Sequence, residues 1–495
     1  MTITKIFTLL YAFSAILILT VGPLRAASTD IPIMASILAG FFLMMMAMMA
    51  PSRQFSGVHK PIFNIFLFGV YITIFYPFTI LSVYPEIYRD SGLTKALAYG
   101  VPSSIHLSIL CYTAGIVIAF YLGMWLFSRK CRPLVGAFKR DKKNIGTNRG
   151  VFLTLAVVGL VFQLILDQLG AQTIDGRGTY GMFMRLVPSS SLLCAVCFLL
   201  TKYKSNLGTS SVVFCVGYLL LFILVNILAG RRGVVLVVPF MFFITTYILR
   251  PDYRFRGSLI AGLAIFFVAI VPVSLAVSTV TKNVAKETGF AEREFSKTEA
   301  SEILSNDIYY RYFRWSSGRF RGYQAAVVLE SNKKNEIFGE QVKPQVIFYN
   351  VIRILFPDRF LPSWVPRHQS LGKTAGMVIG GASVKLNYSS SWYGMPFLKG
   401  FFGWLGLCVI FFLGYFLAWI PYWVFGKNEV LSVIFIGIIY NSAWSFHISG
   451  NLDILLAEFV QYNLVFYGFT KVMVIISSIQ SKLRMNFRPP GVTNR

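Results

Sequence analysis

The sequence predicts an all-α polytopic membrane protein with about twelve transmembrane helices and one large outer loop. Three observations carry that expectation. Apolar runs near the roughly 20 residues that a bilayer requires recur along the whole chain. Basic residues collect in alternate connections between those runs. One connection, about a quarter of the chain, differs from the rest in size and composition. The 495 residues are 56% hydrophobic and 13% charged, with a mean hydropathy of +0.64, and a soluble protein so composed would expose far too much apolar surface.

The expected spans run over Ile6–Val21, Ile31–Ala50, Pro61–Tyr84, Ile105–Phe127, Val151–Leu169, Leu186–Thr201, Val212–Ala229, Val234–Leu249, Ser258–Val277, Phe401–Ile420, Val430–Ile448 and Leu452–Ile476. Lys5 before the first run and Leu24-Arg25-Ala26-Ala27 after it resemble a signal peptide, but the apolar stretch is long for one and an uncleaved first span is expected. The chain therefore divides into spans one to nine (1–277), a large outer loop or cap (278–400), spans ten to twelve (401–476) and a basic tail (477–495).

Charge orients the bundle. There are 46 Lys+Arg against 20 Asp+Glu, a net charge of +26. The excess falls in short connections that suit anionic lipid, and no nucleic-acid partner is expected. Counted from a cytoplasmic N-terminus, the connections after even-numbered spans carry Arg53 and Lys60, then the run from Arg129 to Arg149 with Asp141 its one acid, then Lys202 and Lys204, then Arg250, Arg254 and Arg256. The tail adds Lys482, Arg484, Arg488 and Arg495, and only the connection with Lys427 and Glu429 is neutral. Positive charge collects on the cytoplasmic side. The expectation is a multi-pass protein of the cytoplasmic (inner) membrane with both termini inside.

That topology makes one feature unusual. Arg231 and Arg232 join two apolar runs through little more than Gly230 and Gly233, and they fall on the outer side. A cation pair held there against hydrocarbon suggests an anion to bind, although anchoring to lipid headgroups also fits it. The connection DQLGAQTIDGRGTYGMFMR adds Asp175 and Arg177, between Gly176 and Gly178, on the same side. In the large loop, YYRYFRWSSGRFRGY packs Arg311, Arg314, Arg319 and Arg321 among aromatics, and ILFPDRFLPSWVPRHQS adds Arg367 and His368. The planar guanidinium fork suits phosphate; cation–π packing of the loop on the membrane surface is the other role open to that cluster. Arg185 and Arg250, at span ends, fit snorkelling to headgroups. Glu458, inside the last span, is either a functional group or the partner of an arginine.

Among the four histidines, His106, His368 and His447 fall on the outer side, in no metal-ligand spacing. No metal or other cofactor is expected, the arginines doing what a cation would otherwise do. His368 is a candidate base, and an ordinary surface role fits it too. Six cysteines define no disulfide framework; Cys194 and Cys197 form a C-x-x-C inside the apolar run LLCAVCFLL, where small buried hydrophobes are the plainer reading.

These residues resemble the Wzy-type polymerases of lipid-linked oligosaccharide repeat units. The likeness covers most of the chain in architecture. Locally it rests on ILAGRRGVVLVV, on the Arg-rich loop ending in FLPSWVPR, and on SSSWYGMPFLKGFFGWLGLCVIFFLGYFLAWI. Many relatives have an acidic residue near the start of the last motif; here the chain reads Trp392-Tyr393-Gly394-Met395, so no carboxylate carries over. The resemblance implies a GT-C-like bundle and a glycosyltransferase that joins undecaprenyl-pyrophosphate-linked repeats outside the membrane, without a metal. Its partners would be that lipid-linked substrate, membrane lipids and a chain-length regulator. In this reading Arg232 and Arg177 act on pyrophosphate, Arg231, Arg311, Arg314, Arg319, Arg321 and Arg367 hold substrate, and Asp175, Asp307 or His368 takes a proton. An O-antigen ligase using the same carrier, or a lipid-linked oligosaccharide flippase or transporter, are the alternatives.

Overall fold

The structure is a computed structural model. It describes Leu9, Ala12 and Ile16; Phe55 and 57–71; 103–130; most of 151–161; 189–202; 208–228; 234–250; Gln345, Phe348, Tyr349, Ile352 and 361–365; 397–424; 429–441; and six positions between 467 and 479. Among the described residues all regular structure is helical: α1 (His59–Val70), α2 (Ser103–Lys130), α3 (Ser189–Lys202), α4 (Thr209–Leu228), α5 (Val234–Leu249), α6 (Phe397–Phe402), a 3₁₀ turn (Gly403–Leu405), α7 (Gly406–Val424) and α8 (Glu429–Asn441). Among the described residues, two segments are long and apolar enough to cross a membrane, Cys111–Ser128 within α2 and Gly403–Pro421 through α7. The second and ninth expected spans lie outside the described residues.

Composition explains why these segments are helices. In water a run such as Val234-Val235-Leu236-Val237-Val238 would favour a strand. In hydrocarbon every backbone group must be satisfied within the segment, which a helix does. The hydroxyls obey the same rule. Thr113, Thr201 and Thr245 each donate to the carbonyl four residues back, on Ile109, Cys197 and Met241, at 2.8 Å. Exposed faces are apolar as well as buried ones: Val213, Leu220 and Leu224 on α4 are 64%, 62% and 53% exposed, and Phe412 on α7 is 66% exposed. A helix apolar all round has no solvent-facing side, and lipid is the medium that suits it.

The tightest packing is between α2 and α7. Gly123 meets the backbone of Phe411 and Tyr415, Gly414 meets the carbonyl of Phe120, and Gly406 lies under the Tyr112 hydroxyl. These glycines let two backbones approach as side chains would not, the usual device where hydrocarbon surrounds both helices. Partners advance together, from Tyr112 with Gly406 to Phe127 with Tyr415, whose rings are 5.3 Å apart. The two helices therefore run parallel.

The other helices fix their directions in the same way. Asn64 Nδ2 donates to the Tyr247 hydroxyl at 2.5 Å, while Phe68 packs 5.7 Å from Phe240, so α1 and α5 are antiparallel. The C-terminal ends of α3 and α5 meet: Thr201 and Thr246 hydroxyls lie 3.4 Å apart, and Arg250 Nη2 donates to the Thr201 carbonyl at 2.8 Å. Helices α4 and α5, separated by only 229–233, pack on one another. His59 Nε2 donates to the Ala418 carbonyl at 2.9 Å, joining the start of α1 to the turn before Pro421. Pro421 removes the backbone bond to the Leu417 carbonyl, one residue before the carbonyl that accepts from His59. The result is one sense for α2, α3, α5 and α7 and the opposite sense for α1.

Aromatic rings fill the centre. Phe66 stacks on Phe120, and Phe55 and Phe63 pack around Tyr121. Cys194, Cys197 and Cys215 are buried among the helices, with the Cys194 thiol 3.3 Å from the Val433 carbonyl.

Compared with the sequence expectation, the helix over Val234–Leu249 coincides with the eighth span, and α2 extends the fourth by two or three residues at each end. The tenth expected span is not one continuous helix. Its first two residues, Phe401 and Phe402, end α6, and Gly403, at φ +57°, breaks the helix before α7 begins. A glycine there adopts the left-handed conformation at no side-chain cost.

Candidate functional site

Every candidate site residue named from the sequence lies outside the described residues: Asp175, Arg177, Arg231, Arg232, Asp307, Arg311, Arg314, Arg319, Arg321, Arg367 and His368. So does Glu458. The described residues define only what flanks some of them. Arg231 and Arg232 belong to the short segment 229–233 between two helices that pack side by side. Helix α5 rises about 24 Å from Val234 to Leu249, and its far end carries the Arg250–Thr201 contact with Lys202 alongside. Two residues before Arg367, a turn closes where the Val365 amide donates to the Pro362 carbonyl at 3.0 Å. That turn presents Trp364, 57% exposed, whose ring meets Tyr349 edge-on at 6.1 Å.

A second group was not picked out from the sequence. Ahead of α7 and against the first three turns of α2, the Lys399 ammonium sits 5.2 Å from the centre of the Trp404 ring and 5.8 Å from that of Tyr112. It donates to the Ser108 hydroxyl. Tyr112 and Trp404 meet edge to face at 5.5 Å. The helix break at Gly403 turns the chain so that Trp404 reaches both. Two faces and a hydroxyl hold this ammonium in place, where a lysine at a span end would ordinarily extend to solvent. The signal was present in FLKGFFGWLG, a lone lysine among aromatics and glycines, but it read as the mere entry to a span.

Helices α2, α3, α5 and α7 all begin at that end, and none has an acidic residue in its first turn. Because α1 runs the other way, and α4 and α8 join α5 and α7 through short links, their C-termini fall at the same end and largely offset the dipoles of those starts. Among the described residues no cluster of His, Cys, Asp or Glu could hold a metal ion. No family model, no curated protein and no solved structure matches this chain.

Proposed function

We propose that this chain is a multi-pass membrane polymerase that joins undecaprenyl-pyrophosphate-linked oligosaccharide repeats on the outer face of the cytoplasmic membrane. The observation that carries the reading is the Gly230-Arg231-Arg232-Gly233 link between two packed apolar helices, about 24 Å along α5 from its basic end at Arg250. If that basic end is cytoplasmic, the link is on the outer side. The helix directions fit the expected order of spans. Segments expected as spans four and ten, and six and eight, run parallel, and those expected as three and eight run antiparallel, as an alternating chain requires.

The chemistry follows from the charges. The bond from the anomeric carbon to the pyrophosphate oxygen breaks, and its electron pair leaves on pyrophosphate. The hydroxyl of the non-reducing-end sugar of a second repeat forms the new bond, and its proton passes to a base, for which Asp175, Asp307 and His368 are candidates. Arg232 and Arg177 stabilise the leaving charge, with Arg231, Arg311, Arg314, Arg319, Arg321 and Arg367 holding pyrophosphate and glycan. Preorganised donors aimed at developing charge are commonly the largest catalytic term.

The test is the surface glycan ladder of a strain lacking this chain, beside one complemented with Arg232→Ala. Single repeats on the core in both strains support the proposal. Bare core in the deletion strain points to a ligase instead, and an unchanged ladder removes both.

A further inference from the structure

The cluster between α2 and α7 deepens the proposed function, on which it rests. We infer that Lys399, Ser108 and Trp404 form the seat for the sugar–phosphate junction of the lipid-linked substrate, the ammonium taking a phosphate oxygen and the indole stacking on the first sugar. Two aromatic faces within 6 Å and the Ser108 hydroxyl hold Lys399 against the first three turns of α2, just ahead of the 3₁₀ turn that leads into α7. A positioned ammonium with a hydroxyl beside it is suited to a phosphate group.

Trp404 adds what a simple phosphate site would not need. It is 56% exposed although its ring contacts both Lys399 and Tyr112, and the next residue, Leu405, is 73% exposed. The pair thus places a large aromatic surface and an apolar side chain beside a cation. A polyprenyl-linked sugar presents the same three elements in sequence: ring, phosphate and hydrocarbon. The left-handed Gly403 creates the arrangement by ending α6 and redirecting the chain. Ordinary anchoring of a tryptophan at the bilayer interface would not require the ammonium to be held against it.

The experiment uses the full chain in nanodiscs of phosphatidylcholine, with three probes: undecaprenyl pyrophosphate, undecaprenyl-pyrophosphate-linked N-acetylglucosamine, and phosphatidylglycerol as competitor. Lys399→Gln is expected to weaken both polyprenyl probes about tenfold, as loss of a charge-assisted contact does, and Lys399→Arg to restore most of that. Trp404→Ala is expected to weaken the sugar-bearing probe about fivefold and to leave the bare pyrophosphate nearly unchanged. Should Lys399→Gln fail to fold, Ser108→Ala tests the same point, with a several-fold loss for both probes. Equal effects of Trp404→Ala on both probes, or displacement by phosphatidylglycerol at matching concentration, would overturn the inference in favour of a headgroup anchor. Tight wild-type binding unchanged in all variants would overturn this inference alone. Wild-type protein that binds neither polyprenyl probe would overturn the proposed function as well.

Discussion

Replacing Gly414 with alanine would place a Cβ 2.5 Å from the Phe120 carbonyl oxygen, where ordinary contact begins near 3.4 Å. The neighbour is backbone and cannot rotate aside, so α7 must withdraw from α2 by about 0.9 Å, a gap that forfeits a quarter to a half of each dispersion contact it opens. Gly123 is equally constrained, its added Cβ falling 2.9 Å from the Tyr415 nitrogen and closer still to the Phe411 carbonyl. Overpacking of this kind costs about 1–3 kcal/mol, and the upper end applies because both obstacles are main chain. Alanine recovers about 0.5–1 kcal/mol of helix propensity, leaving each variant destabilised by about 2 kcal/mol. Gly217 and Gly437 are internal controls, helical glycines whose added Cβ would meet nothing within 4 Å. Heating the purified protein in detergent and measuring the monodisperse fraction remaining should show Gly123→Ala and Gly414→Ala losing several degrees. Gly217→Ala and Gly437→Ala should be neutral or slightly stabilised. All four behaving alike would refute the close parallel crossing of α2 and α7.

Arg232→Ala should lower polymer formation by about 10²–10³-fold while the protein still inserts, and Arg232→Lys should rescue poorly, because a point charge does not replace a bidentate fork; full activity of Arg232→Ala would remove the pyrophosphate role. Arg231→Cys, in a chain whose six native cysteines are replaced, should react with a membrane-impermeant thiol reagent from outside intact cells, and labelling only after lysis would reverse the topology. Tyr247→Phe should destabilise the protein by about 1–2 kcal/mol by leaving the buried Asn64 amide without its hydroxyl partner. The double variant Asn64→Leu with Tyr247→Phe should recover much of that loss in the same melting assay, and additive losses would mean that the pair does not act as a unit.

The helical class was legible because hydrocarbon imposes one rule on every segment, and runs such as Val234–Leu249 obey it except where Pro239 lacks an amide hydrogen. Even the β-branched stretch at the start of α5 is helical. The break at Gly403 was less legible, since apolar residues continue through Phe401, Phe402, Trp404 and Leu405 and hydropathy does not register a backbone dihedral. The same limit concealed Lys399. Sequence reasoning sought arginines in polar connections, whereas this cation gains its position from Ser108 and Tyr112, some 290 residues earlier in the chain. The arginine candidates themselves were chosen by chemical type and by the side of the membrane that loop charge assigns.

Helix direction links the two groups of cations. The segment holding Arg231 and Arg232 leads directly into the start of α5, and Lys399 precedes the start of α7. Helices α5 and α7 run in one sense, because α1 is antiparallel to α5 through Asn64 and Phe68 and begins, at His59, beside the C-terminal half of α7. Both cationic segments therefore belong to the same end of the bundle, together with the starts of α2 and α3. Lys399 and the segment of Arg231 and Arg232 share that end, and the Arg250–Thr201 contact with Lys202 alongside marks the other. Both ends therefore carry basic residues, and net charge alone does not distinguish them. For a substrate tethered by a polyprenyl tail and cleaved beside its pyrophosphate, the end that meets the acceptor sugar would then be set by the placement of individual cations rather than by a field along the bundle.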